Sequence, residues 1–124
     1  MRNKALIHSK DMYEVIKLRN KLLYFGFEPE VLNEGNINCE VSDISLLVFD
    51  VESKRDYMID ILSKILKECK ADFINDIPYI IVISSDKSGE TEQIVRKIGV
   101  NNFLLKPLEN NELDIVLIGI LLKI

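Results

Sequence analysis

The chain has 124 residues, 48% of them hydrophobic and 29% charged, which fits one packed domain over 1–124 and excludes two domains or a disordered segment. Its net charge is −4 and its lysines and arginines are scattered, so no basic stripe speaks for nucleic-acid binding. No apolar run approaches the roughly 20 residues that span a bilayer, Met1–Lys4 lead into no signal-peptide core, and Cys39 and Cys69 form no CxxC pair, so a cytoplasmic protein with reduced thiols and no membrane role is expected.

Ala5-Leu6-Ile7-His8 is an apolar run suited to a buried strand. Met12, Val15, Ile16, Arg19, Leu22 and Leu23 then recur at helical spacing, with Asp11 and Glu14 placed to cap the helix and Gly26 placed to stop it. Glu28 to Leu32 reads as a second strand, and Pro29, which lacks an N–H, suits an edge or a strand start. Asn33 to Asp43 is short and polar, with room for one or two helical turns at most. Ile44 to Phe49 is nearly all apolar, as a strand covered on both faces must be. Tyr57, Met58, Ile61, Leu62, Ile65 and Leu66 form an amphipathic stripe. Tyr79 to Ile83 is the most β-branched run and reads as a central strand. Ile94, Val95 and Ile98 mark another helix, ended by Gly99. A short strand follows at Asn102 to Leu105, and Leu113, Leu117, Ile120 and Leu121 are the inward positions of a last helix.

Alternation of strand and helix along the whole chain predicts an α/β domain with a parallel sheet covered on both faces. In such sheets ligands bind beyond the carboxyl ends of the strands. Ser9 and Lys10 follow the first strand, Asp50 ends the third, Ser84 and Ser85 end the fourth, and Lys106 follows the fifth. An acid, a hydroxyl and a lysine on one sheet edge can handle a phosphoryl group: the carboxylate accepts it, while the hydroxyl and ammonium bind its oxygens. His8 is the sole histidine, which excludes a His-based metal cluster or triad.

Gly99-Val100-Asn101-Asn102-Phe103-Leu104-Leu105-Lys106-Pro107-Leu108 resembles the signature of response-regulator receiver domains of two-component signalling. Ser84-Ser85 stands where that family has Thr/Ser-Ala, and Ser45 to Asp50 resembles the strand that ends in its phosphorylated aspartate. The resemblance covers essentially the whole chain. It implies a flavodoxin-like five-stranded sheet in the order 2-1-3-4-5, Asp50 as the phosphoacceptor equivalent, Ser84 and Lys106 as the phosphoryl-binding equivalents, Phe103 as the switch aromatic, and a cis bond before Pro107.

Two departures bear on function. The family's adjacent acids after the first strand, which help bind Mg²⁺, are replaced by Ser9 and Lys10, and the loop after Asp50 reads Glu52-Ser53-Lys54-Arg55-Asp56. Mg²⁺ takes oxygen ligands in near-octahedral geometry, so no metal or other cofactor is expected, and Lys10 is placed to pair with Asp50 directly. The resulting reading is a non-enzymatic signalling and interaction module, an atypical receiver weakly or not at all phosphorylated, whose partner is a sensor histidine kinase or another signalling protein. The second reading is a working phosphoacceptor with an unorthodox Mg²⁺ site at Asp50. The third is a small flavodoxin-like nucleotide- or flavin-binding protein, against which stands the lack of a phosphate-cradling glycine loop after the first strand. The last helix also carries outward apolar residues, among them Val116 and Leu122, which predict a homodimer or domain docking through the last two helices and the strand between them.

Overall fold

The computed structural model describes residues 3–32, 44–51, 55–72, 78–108 and 111–123. The expected second helix within Asn33–Asp43, the loop residues 52–54, Cys39 and the side chain of Cys69 lie outside the described residues.

The elements run β1 (Lys4–His8), α1 (Met12–Tyr24), β2 (Glu28–Val31), β3 (Ile44–Asp50), α2 (Arg55–Asp72), β4 (Tyr79–Ser84), α3 (Glu90–Lys97), β5 (Asn102–Leu105) and α4 (Glu112–Lys123). The five strands form one sheet in the order β2-β1-β3-β4-β5, and every pairing is parallel. The expected flavodoxin-like topology is therefore the observed one. β3 and β4 lie at the centre because their residues are apolar on both faces. Leu47, Phe49, Ile80 and Val82 point to one side, where Ile61, Leu62 and Leu66 of α2 and Val95 of α3 cover them. Leu46, Val48, Ile81 and Ile83 point to the other, where Val15, Leu18 and Leu22 of α1 and Leu113, Leu117 and Ile120 of α4 cover them. β2 is an edge strand, which accommodates Pro29. Gly26, at φ 89°, supplies the left-handed residue that turns α1 into β2.

Three packing expectations are corrected. On α1 the buried positions are Glu14, Val15, Leu18 and Leu22, whereas Met12, Ile16 and Leu23 are exposed. This helix is apolar on nearly all sides, so its spacing alone did not single out the buried face. On α2, Tyr57 is half exposed rather than core. On α4, Val116 is half buried against the core, beside Leu121, while the outward stripe consists of Ile115, Ile118 and Leu122.

Candidate functional site

The carboxyl ends of β1, β3, β4 and β5 bring the candidate residues to one edge of the sheet. Asp50 ends β3 as a residue only 3% exposed. A bare carboxylate in that position is costly, so it must be paired and hydrogen-bonded. Lys106, one residue past β5, supplies the charge: its Nζ donates to Asp50 Oδ2 at 2.9 Å. Ser9 Oγ donates to the same oxygen at 2.7 Å. The Ser9 hydroxyl in turn accepts from the Asp11 N–H at 3.1 Å. Oδ2 is thus held by an ammonium and a hydroxyl, both within strong hydrogen-bond range. Oδ1 is buried and has no hydrogen-bond partner among the described residues.

Backbone bonds lock the strand ends that carry these groups. Val51 N–H donates to Ile83 O at 2.9 Å, and Lys106 N–H donates to Ser84 O at 2.9 Å. The Lys106–Pro107 peptide is cis, as expected. Next to the site, His8 stacks on Phe49 with ring centroids 4.5 Å apart. His8 is buried in that stack at the end of β1.

One candidate residue, Lys10, makes another contact than the one expected of it. Lys10 does not pair with Asp50. It is exposed, and its ammonium sits 5.8 Å from the centroid of the Tyr57 ring, a cation–π distance. Ser9 provides the contact expected of Lys10. The reason is local: Asp11 Oδ1 caps α1 by accepting from the N–H groups of Tyr13 at 2.9 Å and Glu14 at 3.4 Å. That capped turn carries Ser9 inward, and the neighbouring Lys10 is left on the surface. Ser84 is buried on the correct edge, but its hydroxyl accepts from the Asp86 N–H at 3.1 Å rather than contacting Asp50. Phe103 is half buried and packs on the side of the sheet covered by α2 and α3.

Asp86 is a residue that sequence reasoning missed. Its carboxylate accepts from Thr91 Oγ1 at 2.6 Å, Ser88 Oγ at 2.7 Å, Ser88 N–H at 2.9 Å and Thr91 N–H at 3.2 Å. The Thr91 and Ser88 hydroxyls, followed by their N–H groups, hold its pKa well below the ordinary 3.8. The signal was present as an acid followed by Ser88 and Thr91 just ahead of a helix, the pattern of a side chain gathering the free N–H groups of a first turn.

Among the described residues, the oxygens near Asp50 are largely engaged within the protein. Mg²⁺ seeks several oxygen ligands, usually including one or two carboxylates. Here Asp50 Oδ2 already serves Lys106 and Ser9, Asp11 caps α1, and Lys10 stands where a second acid is needed. Among the described residues no group of three or more His, Cys, Asp or Glu side chains is placed to hold a metal ion.

No family model and no curated protein matches the chain in sequence. Solved structures do match it in shape. A CheY-like response-regulator receiver domain from Methanospirillum hungatei superposes with a TM-score of 0.75 at 18% identity, covering 99% of each chain. The chemotaxis protein CheY4 of Vibrio cholerae gives 0.77 at 16% identity, over 97% of this chain and 99% of that one. A response regulator from Thermotoga maritima gives 0.76 at 16% identity, over 97% and 98%. The chain has the receiver fold. Within that receiver fold, no described helix is long and apolar enough to cross a membrane.

Proposed function

We propose that this chain is a signalling interaction module in which Asp50 is a structural residue rather than a phosphoacceptor. The observation that carries this reading is the double engagement of Asp50 Oδ2 by Lys106 and Ser9. An aspartate that receives a phosphoryl group needs positive charge on the phosphoryl oxygens during transfer, and a divalent ion ordinarily supplies much of it. Among the described residues, the side-chain oxygens after β1 are engaged, Ser9 with Asp50 and Asp11 in capping α1, and the lysine aimed at Asp50 neutralises the carboxylate itself. A module of this kind is not an enzyme, requires no cofactor, and works by docking a sensor histidine kinase or another signalling protein.

One observation favours a second reading. Asp50 Oδ1 is uncommitted among the described residues, and a carboxylate needs only one oxygen to attack phosphorus. In that reading Lys106 turns from Asp50 to a phosphoryl oxygen during transfer. Incubation with Mg²⁺ and a small-molecule phosphodonor, read by intact mass, distinguishes the two. The expected result is an unchanged mass. An added phosphoryl group that disappears in Asp50→Asn establishes the second reading.

A further inference from the structure

The segment that joins β4 to α3 is tied to one carboxylate. Asp86 Oδ1 accepts from the Ser88 N–H at 2.9 Å and the Ser88 hydroxyl at 2.7 Å. Asp86 Oδ2 accepts from the Thr91 N–H at 3.2 Å and the Thr91 hydroxyl at 2.6 Å. Ser88 Oγ in turn accepts from the Glu90 N–H at 3.2 Å. Gly89, at φ 88°, is the left-handed residue that folds the chain back so that Thr91 reaches Asp86. Both ends of the segment are anchored in the interior, where Ser84 is 2% exposed and Thr91 1%.

Ser84 is the junction between this segment and the sheet edge. Its hydroxyl accepts from the Asp86 N–H at 3.1 Å. Its carbonyl accepts from the Lys106 N–H at 2.9 Å, and Lys106 Nζ donates to Asp50 at 2.9 Å. Hydrogen bonds therefore run without a break from the first turn of α3, through Asp86 and Ser84, to the Lys106–Asp50 pair. Bonds to an ionised acceptor are roughly twice as strong as neutral ones, so a carboxylate with four donors makes a stiff joint. The same donors hold the Asp86 carboxyl well below its usual pKa, and the joint stays charged at neutral pH.

We propose that Asp86 is a positioning residue, a clamp that fixes Ser84 and, through the Ser84 carbonyl, seats Lys106 against Asp50. The clamp also keeps the Ser84 hydroxyl on its own loop, so a group that needs this hydroxyl at the sheet edge must first break it. An ordinary helix cap confines its effect to the first turn of α3, whereas this clamp extends to β5. The clamp does not depend on whether Asp50 accepts a phosphoryl group, and its test reads amide protection rather than mass.

Backbone hydrogen exchange of the full chain, resolved by residue, tests it. In Asp86→Ala the Ser88 and Thr91 amides are expected to exchange on the order of tenfold faster than in the wild type, because each loses a bond to a charged acceptor. The Lys106 amide is expected to exchange roughly fivefold faster, the effect of about one net hydrogen bond. The Phe27 amide, bonded to Leu22 O just before β2, is expected to keep its wild-type rate. Asp86→Asn keeps one accepting oxygen and should fall between the two proteins; it carries the test if Asp86→Ala does not fold. An unchanged Lys106 rate overturns the proposal, since Asp86 is then a local cap. Equal acceleration at Lys106 and Phe27 overturns it as well, since the loss is then global.

Discussion

The carboxyl edge of the sheet and the outer face of α1 and α4 use their side chains in opposite ways. At the edge, polar groups are turned toward one another: Lys106 and Ser9 toward Asp50, Ser84 toward the Asp86 N–H, and Asp86 toward Ser88 and Thr91. On the outer face, large apolar groups such as Leu122 and Tyr24 are turned toward water. In a domain of this fold the edge is where chemistry is ordinarily performed. Here the described polar groups are bonded to one another, and the large exposed apolar side chains lie elsewhere. The contrast teaches that one fold can turn its polar side chains toward each other at the sheet edge while leaving large apolar side chains in water on a helix layer.

The largest expected effect breaks the closed edge. Lys106→Ala leaves a buried carboxylate without its cation, which costs about 3–5 kcal/mol. Urea unfolding monitored by circular dichroism measures the loss. A cost below about 1 kcal/mol, the range of an exposed ion pair, means that Asp50 is solvated and the edge is not closed. Ser9→Ala is next. It removes one hydrogen bond to a charged group, worth about 1.5–3 kcal/mol, and the same unfolding experiment reads it. Asp11→Ala removes the cap of α1 and should cost about 0.5–2 kcal/mol. Because the cap also sets the turn that carries Ser9, this variant and Ser9→Ala are expected to be less than additive in the double variant.

Much of this edge was legible in the sequence. Apolar runs long enough for strands but too short for helices marked β3, β4 and β5, and the ends of those runs pointed to Asp50, Ser84 and Lys106. The position of Lys10 was not legible. Adjacent residues after a strand point in different directions, and which one faces inward depends on the cap that follows; Asp11 turned Ser9 in and Lys10 out toward Tyr57. The α1 surface was misread for another reason. Met12, Tyr13, Val15, Ile16, Leu18, Leu22, Leu23 and Tyr24 surround most of that helix, so a periodicity argument finds more than one apolar stripe, and only the packing selects Val15, Leu18 and Leu22. On α4 the same ambiguity turned Val116 inward and left Ile115 and Ile118 outside.

A smaller effect sharpens the comparison through pH. The folded chain favours the ionised form of Asp86, because Thr91 and Ser88 donate to it, and its pKa is lowered from the ordinary 3.8. A lowered pKa gives stability that is fully present above the unfolded value and is lost as pH falls through and below it. Asp86→Asn should therefore flatten the decline of melting temperature below about pH 4, the usual carboxylate range, relative to the wild type. A melting series across that range checks the difference. Equal slopes in the two proteins mean that the loop bonds of Asp86 add nothing to acid stability.

The central claim is that an ammonium and a hydroxyl, rather than a metal ion, hold Asp50. Thermal unfolding across a millimolar Mg²⁺ series, with wild type and Asp50→Asn side by side, tests it most directly, because a ligand bound by the folded state alone raises stability with its occupancy. The predicted result is that the two proteins show the same flat dependence on Mg²⁺. A melting temperature that rises with Mg²⁺ in the wild type and stays constant in Asp50→Asn contradicts the account.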